Sequence, residues 1–84
     1  MGGEYLVKVA ITAAGTYRVP IKKRVLGVYS DVAVKVGWDF NGEVATITPT
    51  AATVWEPNNP FEPAPISALI ITATAASNVT IRME

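Results

Sequence analysis

The sequence predicts an all-β fold: a compact antiparallel β-sandwich, jelly-roll-like, with seven or eight short strands in one domain covering residues 1–84. Three observations carry that expectation. Val, Ile and Thr supply 27 of the 84 residues, against three Leu and no Gln, and branched side chains suit a pleated strand better than a helix, where χ1 is restricted. No window repeats apolar residues at i, i+3, i+4, i+7 over the length a helix needs. Instead, short stretches of alternating apolar and polar residues recur about every 8–12 residues, separated by turn residues.

In chain order, Glu4 to Thr12 alternates cleanly, with Tyr5, Val7, Val9 and Ile11 on one face. Ala13-Ala14-Gly15 is read as a turn. Thr16 to Ile21 follows with Tyr17, Val19 and Ile21 inward, and Pro20, which lacks an amide proton, places this strand at an edge or at its own end. Lys22-Lys23-Arg24 is the one basic run and reads as a solvated turn that discourages strand addition. Arg24 to Ser30 is apolar on both faces, the pattern of a central strand, and Gly27 within it marks a bulge or a close backbone approach. Ser30-Asp31 is read as the next turn.

Val32 to Thr48 carries the clearest local signal. Asn41-Gly42 between two alternating stretches is the strongest short-range mark of a type I′ hairpin, whose two central residues both need positive φ. A two-residue loop then sets Phe40 against Glu43, Trp38 against Ala45 and Val36 against Ile47. Val32, Val34, Val36, Trp38 and Phe40 share the apolar face, and Lys35, Gly37 and Asp39 the other. A short strand is expected near Thr53 to Trp55. Four prolines between Pro57 and Pro65 then exclude helix interior and sheet centre, which leaves an extended surface loop. Ile66 to Ala75 is the most apolar strand, Ala76-Ser77 reads as a turn, and Val79, Ile81 and Met83 alternate inward to the end.

Little in the composition supports catalysis. Cys and His are both absent, which removes disulfides, thiolate metal sites and His-dependent triads. Asp31, Asp39 and Glu43 lie near one hairpin, but a carboxylate pair would need a cleft that a small sandwich has little room for. Asp39 to Glu43 has the look of a calcium-loop fragment without its further oxygen ligands. No enzyme activity and no cofactor is expected. Seven basic residues balance seven acidic ones, so no net field draws the chain to nucleic acid or to an anionic membrane. Val34 to Gly42 is similar to the start of a cold-shock stacking platform, but Gly37 and Asp39 interrupt it and a basic groove with further rings is missing.

Glu4 and Lys8 fall where a signal peptide needs a basic start and an apolar run. Leu6 occupies the position where a myristoylation motif wants Ser or Thr. The longest apolar run, Ala68 to Ile71, is far too short to span a bilayer. Asn78-Val79-Thr80 matches a glycosylation sequon without a secretory context. The expectation is a soluble protein made in a cytosol. Charged residues are 17% of the chain and hydrophobic ones 50%, sparse charge for a small domain that stands alone. That predicts an obligate homo-oligomer, or a subunit docked on something larger. Within the proline loop Trp55, Asn58, Asn59 and Phe61 are the candidate partner-binding residues. The rings would supply apolar area on a stiff segment, and the asparagines a polar rim. The alternative role for both rings is to pin the loop on the sandwich.

The layout also resembles small β-sandwich structural proteins of tailed-phage virions. The stretches that carry the resemblance are Gly15-Thr16-Tyr17-Arg18-Val19-Pro20, Asp31 to Val36, the Ala64-Pro65-Ile66 loop exit, and the closing pair Ser67 to Ala73 and Asn78 to Met83. The resemblance implies a capsid decoration (cement) protein, a head fibre or a tail adaptor, often trimeric. Its partners would be its own copies and the major capsid protein or another virion protein, and its location the virion. Such proteins act through surfaces, so the resemblance carries over no catalytic residue. The alternatives from other classes are a carbohydrate-binding module, with Trp55, Phe61 and Trp38 as sugar platforms, and a single-strand nucleic-acid binder.

Overall fold

The structure is a computed structural model that describes residues 5–40, 42–46, 52–59, 62–63 and 66–84, with only the backbone of Tyr5, Val44, Ala45, Thr46 and Ala52. The described residues are all-β and antiparallel, with no helix among them. The strands are β1 (Tyr5–Ile11), β2 (Gly15–Pro20), β3 (Val25–Phe40), β4 (Glu43–Thr46), β5 (Ala52–Trp55), β6 (Ile66–Ala73) and β7 (Ser77–Met83). All belong to one curled sheet, a half-barrel in the order β1-β7-β3-β6-β2, with β4 and β5 on the other side of β3.

The registers reduce this to a simpler plan. β1 pairs β7 from Tyr5↔Met83 to Ile11↔Ser77, and β2 pairs β6 from Gly15↔Ala73 to Pro20↔Ala68. Three residues separate the two ladders on each strand, so one register runs through both. β1 with β2 is therefore one long strand that breaks at Thr12–Ala14, and β6 with β7 is another that breaks at Thr74–Ala76. β3 runs unbroken beside them, paired with β7 over Val25–Ser30 and with β6 over Val34–Phe40. On its other side it pairs β5 and β4 in turn. Three long strands, β1 with β2, β6 with β7, and β3, thus bend along one line. One half of the sheet reads β1-β7-β3-β5, and the other β2-β6-β3-β4.

Two distances force the bend. Sixteen residues of straight strand would span ~50 Å, yet the longest extent of the molecule is 35 Å. Ile21 extends the far end of one half through a bond from its amide to the Ser67 carbonyl (3.1 Å), while Arg24 pairs with Glu84 at the far end of the other (3.1 and 2.9 Å). Three residue steps reach at most ~11 Å, about the ~10 Å spacing at which sheet faces pack. The inner faces therefore meet. Ile11, Val28, Val79, Ile81 and Met83 from one half join Val19, Val34, Val36, Leu69 and Ile71 from the other in a single buried cluster.

Several sequence-based expectations hold. Gly42 has φ +89°, and Phe40 faces Glu43 while Trp38 faces Ala45; Asn41 and Ile47 lie outside the described residues. β3 is central, and the register shifts between Val25 and Gly27 as a bulge does. A Cβ at Gly27 would sit 2.7 Å from the Tyr29 hydroxyl oxygen, so the close approach is real as well. Pro20 ends an edge strand.

Others need correction. Ser30-Asp31 is no turn but the middle of β3, and Ala76-Ser77 does not reverse the chain, because β6 and β7 both run antiparallel to β3. Polar residues at both places signalled an interruption, and what they interrupt is direction within a strand, not the strand itself. The faces of the hairpin also mix at its tip: Phe40 is exposed, whereas Asp39 is 7% exposed.

Gly42→Val should cost about 1–2 kcal/mol, the penalty of left-handed backbone for a residue with a Cβ. Ile81→Ala, at a fully buried position, should cost about 2–5 kcal/mol. Urea titrations read both, and wild-type stability in either variant would contradict this placement.

Candidate interaction surfaces

Because the inner faces are used up in the core, whatever this chain presents lies on the outer face, the sheet edges and the connecting loops. Two carboxylate-centred clusters order the outer face, one an ion pair and one a set of amide hydrogen bonds. Arg18 on β2 reaches across β6 to Asp39 on β3, Nη1 to Oδ2 at 2.5 Å, and its Nη2 lies 3.3 Å from the Ser67 hydroxyl. Ala68, opposite both Pro20 and Asp39 in register, is fully buried between these groups; its methyl leaves room for the arginine above. The second Asp39 oxygen accepts the Gly42 amide at 2.8 Å, which ties the pair to the hairpin tip. The Arg18 hydrogen bond foremost, with the Gly42 amide, holds the Asp39 carboxyl below its ordinary 3.8 against the opposing effect of desolvation.

Asp31 plays the matching part at the bend. Its Oδ1 accepts the Asn78 amide (2.8 Å) and its Oδ2 the Asn78 side-chain amide (3.0 Å). Those bonds, the backbone one first, lower its pKa as well. Asp31 and Asp39 are therefore each engaged in holding backbone, which accounts for them without catalysis. Among the described residues no cluster of three or more acidic side chains is placed to hold a metal ion.

The four candidate partner-binding residues separate. Trp55 ends β5 opposite Val28 and packs half-buried against the core. Asn58 and Asn59 are exposed beyond it, and Phe61 lies outside the described residues. Glu56, between Trp55 and the asparagines, accepts a hydrogen bond from the Tyr29 hydroxyl at 2.8 Å, so the start of the loop is fastened back to β3.

Apart from the edge signalled by Pro20, the sheet edges are what sequence reasoning passed over. Among the described residues β1 and β2 each have one strand neighbour, as do β4 and β5. Leu6 on β1 is 54% exposed and Val54 on β5 is 56% exposed. Register places both on the outer face: Lys8, Thr80, Tyr29 and Val54 form one row, and Leu6 lies two residues from Lys8. A hollow of about 360 Å³ lies along β1 and β7, lined by Lys8, Val9, Ala10, Asn78, Val79 and Thr80. Charge also divides between the edges. Residues 5–20 contain Lys8 and Arg18 and no acid, while residues 42–59 contain Glu43 and Glu56 and no base. That division was visible in the sequence, but it had meaning only once the strand order put the two stretches at opposite edges.

Compared with known proteins, the chain matches no family model, no curated protein and no solved structure. What it does must be argued from these surfaces.

Two measurements test the description. Asp39 and Asp31 have lowered pKa values, so their contribution is complete above the unfolded value near 3.8 and is lost as pH falls through the folded values. Thermal stability should therefore drop on acidification below about pH 4. Asp39→Asn should be less stable at pH 7 and should lose less between pH 4 and pH 2; an unchanged acid profile would contradict the role given to Asp39. Trp55→Ala should destabilise the fold by roughly 1–3 kcal/mol, less than the ~3–5 kcal/mol of a fully buried tryptophan. Calorimetry reads it, and an unaltered Tm would place the ring off the core.

Proposed function

We propose that this chain is a non-enzymatic structural protein that acts by docking, in several copies, on a larger protein assembly. The concrete form is a decoration (cement) protein of a phage capsid shell, working as a homo-oligomer, a trimer in the first instance. The fold that goes with it is a jelly-roll-like β-sandwich in which the two halves of the curled sheet serve as layers. The observation that carries the reading is where this chain leaves unused bonding capacity. Its inner faces close on one apolar core, and its buried carboxylate, Asp39, is taken up by Arg18 and the Gly42 amide. Among the described residues the unsatisfied capacity is at the surface, in two sheet edges with one strand neighbour apiece and in a loop that exposes Asn58 and Asn59.

Such a protein needs no reaction. Binding free energy available only on the assembled shell stabilises that shell by mass action, and attachment through several copies strengthens it without a better single contact. The resemblance of Gly15 to Pro20, Asp31 to Val36 and Ser67 to Met83 to phage virion proteins supplies the identity of the shell. The rival readings have less support. Sugar platforms present their rings, whereas Trp38 and Trp55 are half-buried against the core; Lys22 and Lys23 stand in a connection with no ring beside them in sequence.

Mass spectrometry of purified virions whose genome encodes this chain should find it in many copies per particle, and its complete absence from particles would overturn the proposal. Phe61→Ala should weaken attachment to the shell by ~1–3 kcal/mol or more while Tm barely moves. A large drop in Tm with attachment unchanged would assign the ring to the fold and remove it from the contact surface.

A further inference from the structure

We infer that copies of this chain join edge to edge, the β1–β2 edge of one copy against the β4–β5 edge of the next. The inference deepens the proposed function: it rests on reading the chain as a self-assembling structural module, and it names the surface and the partner, a second copy.

Four observations converge. First, an unpaired edge is a row of free amide and carbonyl groups, and proteins that stay monomeric blunt such edges with charge, proline or bulges. β1 offers only Lys8 as a deterrent over Tyr5–Ile11, and exposes Leu6 beside it. Second, strand direction matches. Neighbouring long strands alternate across the sheet, so β4–β5 runs opposite to β1–β2, and setting one edge against the other continues the antiparallel ladder. Third, the bend line reaches both edges, between Ile11 and Gly15 on one side and between Ala52 and Val54 of β5 on the other, where the register along β3 shifts between Val34↔Ala52 and Tyr29↔Val54. β5 of one copy can then meet β1 of the next while β4 meets β2.

Fourth, the charges are complementary. Lys8 stands on one edge with no acid in residues 5–20, Arg18 being turned across β6 to Asp39, and Glu43 and Glu56 stand at the other with no base in residues 42–59. In the half containing β1 and β5, the outer face offers Leu6 and Lys8 at one edge and Val54 and Glu56 at the other. An apolar residue and a charge of opposite sign thus stand ready on each side. Pairing β1–β2 with its own copy would instead bring basic edges together, which opposite-charge pairing across strands disfavours.

This contact is heterologous: two different surfaces meet. Copies therefore close into a ring when the rotation per copy permits, and otherwise grow as a filament. A ring of three fits the trimer of the proposed function.

Charge reversal tests this directly. Light scattering after size exclusion should give wild-type protein, at micromolar concentration and low salt, a mass above one chain. Lys8→Glu and Glu56→Lys should each weaken self-association about tenfold or more by setting like charges together, with circular dichroism and Tm confirming that both stay folded. The double variant Lys8→Glu/Glu56→Lys should associate again. Pairing of like edges predicts neither this loss nor this recovery, because a reversal at a position that faces its own copy still sets like charges together. A monomeric wild type would overturn the inference, as would single reversals without effect or reversals not restored in the double variant. Virion content of the same variants is read separately: an edge-deficient monomer still found on particles refutes the edge contact alone, whereas absence of the wild-type chain from particles refutes the decoration reading.

Discussion

The constraint on which the rest depends is that the long strands must bend at one line without orphaning the backbone they bend. A buried or half-buried peptide group that loses its ladder partner costs free energy comparable to a lost hydrogen bond. Here the bend is lined with side-chain oxygens. The Ala13 carbonyl accepts the Tyr17 hydroxyl (2.7 Å), and the Ala75 carbonyl, which the register sets opposite Ala13, accepts the Ser77 hydroxyl (2.9 Å). Ser30 donates its hydroxyl to the Val32 carbonyl. From Ser30↔Val79 to Val34↔Ala73, β3 uses three residues where β6 and β7 use five, and the slack is taken up by Asp31, which captures the Asn78 amide. The small residues that fill the broken segments, Thr12-Ala13-Ala14 and Thr74-Ala75-Ala76, stay exposed on the outside of the bend.

Everything functional follows from that fold line. Because the sheet doubles over, its concave faces are spent on each other in one buried cluster. Because the bend crosses the sheet from one edge to the other, each half ends in its own short edges, and those edges match in direction. The Arg18–Asp39 pair works on the outer face of one half, where it spans β6 and secures the hairpin tip. Glu56 and Tyr29 do a comparable job on the other half by fastening the start of the proline loop over Gly27. The molecule is stiff in its interior and offers its edges and one loop.

Much of this was legible in the sequence, for local reasons. Asn41-Gly42 specified the hairpin register, branched residues the strand class, two-sided apolarity the central position of Val25–Ser30, and Pro20 an edge. What failed were judgements about direction. Asp31 and Ala76-Ser77 looked like chain reversals because polar and small residues usually mark turns; here the same residues mark a bend. Alternation cannot distinguish the two, since it reports which face a side chain takes and not whether the next stretch goes forward or back. Asp39 was assigned by parity to the face opposite the apolar one, and its burial there depends on Arg18, 21 residues away. The edges were illegible for a related reason: Lys8 and Glu56 acquire a relation only through strand order. Of the four candidate contact residues, Trp55 is the one whose place the register fixes, opposite Val28 and half-buried against the core.

The central claim, one core shared across a bend that interrupts hydrogen bonding without dividing the molecule, is most directly tested by native-state hydrogen exchange. The account predicts that core amides of β6 and β7 open with the same free energy, that of global unfolding. The amides of Thr12–Ala14 and Thr74–Ala76 should exchange fast, and Asn78 should be protected by Asp31. Separate opening free energies for the half built on β6 and the half built on β7 would contradict it, because they would mean two units hinged at the line rather than one sheet folded upon itself.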